Sequence, residues 1–223
     1  MRIKLNNKKS NLNWNREYLL THRLDAESLE ESGVKLLEPD EIFVEVPGYP
    51  GYYISQYGQA VSLRRHTPYL LGAFIGGQND RRYLYYSFST KTGEKDTVSV
   101  HHAVAATFCP NFWGDGKRLE AHHLDGDKFH NELSNLILLP TNLHAAIHKI
   151  KDIVLLKDKA IKHYDNPLDL VADTGLTLEE ILLANKGKKK PVRSDGGYTV
   201  FQIKGFLIGF QYHPETRGKN KKN

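Results

Sequence analysis

The chain has 223 residues, 39% of them hydrophobic and 26% charged, with a formal net charge of +5. That length holds one large or two small domains around cores of ordinary size, and the mild basic excess is compatible with a polyanionic partner. The single cysteine, Cys109, excludes an intrachain disulfide and any multi-cysteine zinc cluster, so metal binding would fall to histidines and carboxylates. No apolar run approaches the ~18 residues of a membrane span and no signal-peptide pattern opens the chain, so a cytoplasmic, reducing location and no membrane partner are expected.

Residues 1–13 are polar and basic, and read either as a loose terminus or as an arm along a nucleic-acid backbone. A short helix is expected between Leu24 and Leu37, with Asp25 as its cap and Gly33 as its stop. Glu41 to Leu63 is turn-rich and aromatic, with Val-Pro-Gly-Tyr-Pro-Gly-Tyr-Tyr and then the turn Gln56-Tyr57-Gly58. Arg64 and Arg65 follow it, two guanidiniums suited to phosphate. Arg81 to Phe88 alternates like a strand and Lys91 to Lys95 is a turn, so one small antiparallel sheet is expected over about 42–100. Val100 to Asn111 reads as a helix closed by Pro110.

The densest stretch is Leu119 to His148. It holds five of the eleven histidines: His122, His123, His130, His144 and His148. The pattern predicts a strand ending in His122-His123, an Asp/Gly/Asn-rich loop, a second strand headed by Asn135, and a helix capped by Thr141. Leu143, Ile147, Ile150 and Val154 make an apolar stripe at helical period, which carries that helix to about Tyr164. His144 and His148, four residues apart, then share a helix face at about 6 Å along the axis. With His122 they offer three imidazoles to one divalent cation and leave open positions for water or substrate. His123 faces the other side of its strand, so it is a free imidazole with an ordinary pKa of about 6.5, suited to general-base work. His130 reads as a solvated loop residue and Asp125, before Gly126, as a turn former.

Beyond the Asn166-Pro167 break, Leu168 to Ala184 predicts two short helices around Thr174-Gly175. Thr177 and Glu180 would form a capping box on the second. The pair could be a helix-turn-helix, though the second helix is acidic. Lys186 to Lys190 is a basic linker, and Tyr198 to Tyr212 a hairpin turning at Lys204-Gly205 that must pack on something. The tail from Arg217 is basic and reads as disordered.

Leu119 to His148 resembles the ββα-metal motif of HNH nucleases. HHLDGDKFHNELSNL is similar to the phage and homing-endonuclease branch, and NLILLPTNLHAAIH to the colicin-type spacing N-L-x₇-H-x₃-H. His122 stands where that branch usually has Asn or Asp, and His148 where it often has no histidine. Glu41 to Ser62 resembles the DNA-associated segment that precedes the core in homing endonucleases, and Val100 to Asn111 resembles the helix before the motif, with His101 at a family histidine. The likeness covers about 41–150.

The resemblance implies that His123 deprotonates the attacking water and that Asn135 braces the loop so that His123 stays oriented. It implies His122 and His144 as metal ligands, with His148 a third. One divalent ion would serve each site, Mg2+ or Mn2+ in the cell, with Zn2+ or Ni2+ also accepted by three imidazoles. Arg64, Arg65, Lys128 and His101 are the DNA-contact candidates, and double-stranded DNA is the expected partner.

The chain therefore reads as α+β. A basic arm and short helix (1–40) precede a small antiparallel β-rich DNA-associated segment (41–99), a ββα-metal core (100–164), and an α-rich C-terminal region with a basic linker and terminal hairpin (165–223). The expected activity is metal-dependent DNA endonuclease, of phage or mobile-element origin in a bacterial host, leaving 5′-phosphate and 3′-hydroxyl ends. A single site nicks, and a double-strand break calls for a homodimer or two events. The alternatives are a DNA-binding module whose ββα element is only metal-stapled, and a non-specific packaging or defence nuclease.

Overall fold

Short antiparallel strands and a few short helices build this chain. The computed structural model describes residues 16–79, 82–109, 112, 119–150, 152–157, 160–186, 189–195 and 197–211. The basic arm (1–13), Arg81, Pro110 and Asn111, Gly187 and Lys188 of the linker, Tyr212 and the tail from Arg217 lie outside the described residues. The chain forms two compact units, Lys9–Thr141 and a second built from Asn142–Asn223.

In the first unit, α1 (Arg16–Thr21) and α2 (Ala26–Glu31) come first. Asp25 caps α2 by accepting from the Ser28 N–H, and Gly33 follows at φ 84°. A four-stranded antiparallel sheet then runs in the order β1 (Phe43–Glu45), β2 (Tyr52–Ser55), β3 (Ala60–Ser62), β4 (Tyr69–Leu70). A separate three-stranded sheet follows, β5 (Phe74–Gly76), β6 (Tyr83–Ser89) and β7 (Lys95–Ser99). The single sheet expected over 42–100 is thus two. β4 pairs for only two residues, and the chain leaves it through Leu71, Gly72 and Ala73 before β5 begins.

Both sheets share one core with α3 (Val100–Phe108), which stops at Cys109. Seven of its residues besides His101 are buried, and the alanines at 103, 105 and 106 let strands approach it closely from several sides. β8 (Leu119–His123) and β9 (Leu136–Pro140) form an antiparallel pair in which His122 faces Ile137 and His123 faces Leu136 across the register. A 3-10 turn, Leu133–Asn135, leads into β9, and α4 (Thr141–Ile147) continues directly from it in the chain. Leu133 and Leu136 are buried in the shared core.

The β2–β3 turn holds the loop between β8 and β9 in place. Leu133 donates its N–H to the Gln56 carbonyl at 2.7 Å, and the Tyr86 hydroxyl donates to the Gly58 carbonyl at 3.0 Å. Gly58 has φ +86°, and a Cβ there would stand 3.1 Å from Val100 and 3.4 Å from the Cβ of Asn131. Only glycine meets both demands without strain.

In the second unit β10 (Ile153–Lys157), β11 (Ala160–Tyr164), β12 (Arg193–Asp195), β13 (Tyr198–Ile203) and β14 (Phe206–Gln211) make an antiparallel sheet of order β11-β10-β14-β13-β12. Two helices accompany it, α5 (Pro167–Thr174) and α6 (Leu178–Asn185). One expectation is corrected here. The helix read as reaching Tyr164 ends at Ile147, and β10 and β11 follow it; beyond them the two expected helices and the terminal hairpin are present. Leu143, Ile147, Ile150 and Val154 are all buried as the stripe requires. However, Asp152 turns the chain at φ 51°, and Ile153 to Leu156 pair with β11 on one side and β14 on the other. A short continuous apolar run fits a central strand as well as a buried helix, and here the strand partners decide.

The local signals of this region are present as read. Gly175 closes α5 in the left-handed region, and Thr177 and Glu180 form the reciprocal capping box of α6. Lys204 and Gly205, at φ 48° and 90°, make the two-residue turn of the β13–β14 hairpin. The Lys204 ammonium lies 2.7 Å from the Glu180 carboxylate. No helix among the described residues is long and apolar enough to cross a membrane.

Two stability experiments follow from these contacts. Gly58→Ala should lower Tm by about 3–6 °C, from ~1–2 kcal/mol of left-handed strain plus its contact with Val100. Gly93→Ala, at φ +87° with open space around it, should cost less; equal losses would remove the crowding at Gly58 from the explanation. The Lys204 ammonium, followed by the Thr177 N–H, holds the Glu180 carboxyl down to about 2 from its ordinary 4.5. A depressed carboxyl contributes its stability above the unfolded pKa and loses it as pH falls through the folded one. Glu180→Gln should therefore lower the melting temperature at pH 7, with the gap to wild type closing between pH 4.5 and about 2.

Candidate metal centre

β8 ends in two histidines that point to opposite sides of the strand and are both buried, His122 at 6% exposed and His123 at 5%. His144 lies in α4, half-buried, and His148 is exposed in the turn just past the helix end. The Nε2 atoms of His144 and His148 are 3.3 Å apart, with the rings edge-on at 83°. One donor atom from each of His122, His144 and His148 lies within 4.8 Å of the other two. All three come from the contiguous stretch 119–148.

This donor set fits a divalent cation. Two imidazole nitrogens on a tetrahedral ion at ~2.0–2.1 Å are separated by about 3.3–3.4 Å, as His144 and His148 are. Three neutral nitrogens favour borderline ions such as Zn2+ or Ni2+ in affinity, and leave positions for oxygen ligands.

His123 has different surroundings. Its Nε2 is 3.1 Å from the Asn131 Oδ1, the His101 ring is edge-on to it at 5.0 Å, and the Tyr83 ring lies roughly parallel at 6.3 Å. Burial holds its pKa below the ordinary imidazole range, against the Asn131 hydrogen bond and the charges of Asp125 and Asp127. His123 is accordingly neutral at neutral pH, the state that accepts a proton.

Asn135 closes the intervening loop. Its Oδ1 accepts from the Asp125 N–H at 3.2 Å, and its Nδ2 donates to the Asp125 carboxylate at 2.9 Å and the His130 carbonyl at 2.8 Å. Asp125 is a turn former, accepting from the Asp127 N–H at 2.9 Å. Its other oxygen is 2.6 Å from the His130 Nδ1, and that bond raises the His130 pKa. Burial opposes ionisation of Asp125, but the bonds from Asn135 and His130 prevail and hold its carboxyl below the ordinary range. His130 is exposed in the loop, as expected, and also acts as a strut within it.

The expected DNA-contact residues are scattered in environment. Arg64 and Arg65 are exposed just past β3. Arg64 lies over the Tyr52 ring at 5.6 Å and donates to the Ser89 carbonyl at 3.1 Å, and Arg65 lies over Tyr69 at 5.1 Å. Lys128, half-buried, sits 5.4 Å over the Tyr83 ring. His101 is 6% exposed and packs among Tyr83, His102 and His123, so it touches the candidate base rather than standing on open surface.

The residue that sequence reading passed over is Asn131, whose amide rather than that of Asn135 reaches His123. Its contact depends on how the loop folds, which no local pattern records.

No family model and no curated protein matches this chain. Among solved structures it is similar to one described as "DNA binding and cleavage by the HNH homing endonuclease I-HmuI". The two are 21% identical over 77% of this chain and 98% of that one, with a TM-score of 0.38.

A cation that binds this triad stabilises the folded chain by mass action. At 100 times Kd the gain is ~2.7 kcal/mol, or about 5–10 °C in Tm for a chain this size. Zn2+ or Ni2+ added to EDTA-treated protein should produce that shift, and His144→Ala should abolish it. An equal shift in the variant would place the ion elsewhere.

Proposed function

We propose that the chain is a metal-dependent DNA endonuclease acting on double-stranded DNA. The observation that carries the reading is three imidazoles with donor atoms within 4.8 Å of one another, next in sequence to a buried histidine whose surroundings keep it neutral. A structural staple has no need of the second feature. The resemblance of 119–148 to the HNH motif supports the same reading.

His122, His144 and His148 would hold the ion. When bound, it supplies Lewis-acid stabilisation of charge on the scissile phosphate and on the leaving 3′ oxygen. His123 takes a proton from water, and the water oxygen forms the new P–O bond as the P–O3′ bond breaks. The 3′ oxygen then takes a proton from solvent, leaving 5′-phosphate and 3′-hydroxyl ends. Asn135 braces the loop, from which Asn131 reaches His123, so that His123 stays oriented. His101 and Tyr83 wall the His123 ring.

Arg64 and Arg65 are exposed cations pre-oriented on tyrosine rings, and Lys128 is held over Tyr83 beside His123. Phosphate contacts from these side chains would give salt-sensitive affinity. One site serves one strand, so a monomer nicks and a homodimer would break both strands.

The test is nicking of supercoiled plasmid by wild type and His123→Ala, first in EDTA and then with Mg2+, Mn2+ or Zn2+ restored. Nicking should require metal, and the variant should lose about 10²–10⁴-fold in rate, the usual contribution of a general base. Undiminished cleavage by His123→Ala would overturn the mechanism. Gel-shift binding without cleavage under every metal would favour a binding module with a metal-stapled hairpin.

A further inference from the structure

We propose that Asn131 is the positioning residue of this site: its amide holds the His123 ring with hydrogen on Nε2 and leaves Nδ1 as the atom that takes the proton from water. The inference rests on the reading of His123 as general base and deepens it.

The orientation of the amide is fixed from its far end. Asn131 Nδ2 donates to the Phe129 carbonyl at 2.9 Å. A carbonyl oxygen can only accept, so the NH2 end must face Phe129, and Oδ1 faces the His123 Nε2 at 3.1 Å. An amide oxygen also only accepts, so Nε2 must carry the hydrogen in that bond. In the neutral imidazole the lone pair then resides on Nδ1. Asn131 and His123 are each 5% exposed, so water competes little for this bond.

The asparagine is itself held on several sides. Its neighbour His130 gives its carbonyl to the Asn135 amide, and Leu133 ties the loop to Gln56. Gly58 packs against the Asn131 Cβ and carbonyl so closely that a side chain at 58 would meet both. On the histidine side, the Tyr83 and His101 rings limit rotation. A base whose ring is flanked by two other rings and bonded at one nitrogen has the other nitrogen left to present. The imidazolium formed keeps its Nε2–H bond to Asn131 and holds the new proton on Nδ1.

Imidazole 15N NMR of the EDTA-treated wild-type protein at pH 8 reads the tautomer directly, independently of cleavage. His123 Nε2 should have the protonated, pyrrole-type shift and Nδ1 the pyridine-type one; the reverse assignment overturns the proposal. In plasmid-nicking kinetics, Asn131→Leu should lose at least ten-fold in kcat with KM within two-fold. A kcat for folded Asn131→Leu within two-fold of wild type overturns it. The two readings fail separately. Full activity in His123→Ala removes the base and this inference with it, while an inactive His123→Ala beside an Nδ1–H tautomer removes only the assignment to Asn131.

Discussion

The twelve residues between β8 and β9 keep their shape because Asn135 closes them. Its carbonyl accepts from the Leu124 N–H at 2.8 Å while its side chain bonds Asp125 and the His130 carbonyl. A loop of this length with mostly polar residues cannot bury enough apolar surface to order itself, so hydrogen bonds must offset its conformational entropy. Asp125, His130 and Glu132 add a second set of struts along its exposed side. Everything proposed for the site depends on that closure, since His123 enters the loop and Asn131 returns to meet it.

His123 and His130, seven residues apart, are shifted in opposite directions by their surroundings. His130 is exposed between two carboxylates, and the Asp125 hydrogen bond raises its pKa. His123 is buried among rings, and desolvation lowers its pKa. The same side chain is thus shifted up beside carboxylates in one place and down by burial in the other. That separation follows from burial and partners, not from residue type.

The β2–β3 turn connects the first unit's sheets to this chemistry. Gly58 allows the turn to approach Val100 and Asn131, and Gln56 receives the Leu133 N–H. The aromatic, glycine-rich segment from Glu41 to Ser62 therefore acts on the site by packing, whatever contacts Arg64 and Arg65 make beyond it. α3 provides the floor, with His101 as its contribution to the wall around His123.

The sequence by itself determined the features that arise within a few residues. The Asp25 cap, the Thr177–Glu180 capping box and the Lys204-Gly205 turn were all legible, because each depends on backbone groups one to three positions away. The spacing of His122, His144 and His148 was legible too, and their donor atoms do come together. Tertiary structure decided what depends on distant partners. Ile150 and Val154 are buried under either a helix or a strand, and pairing with β11 on one side and with β14, more than fifty residues later, on the other made Ile153 to Leu156 a central strand. Likewise the hydrogen bond from His123 to Asn131 rather than Asn135 exists only once the loop is folded against Gly58 and Gln56. Periodicity records which residues avoid water; it does not record which neighbours accept their hydrogen bonds.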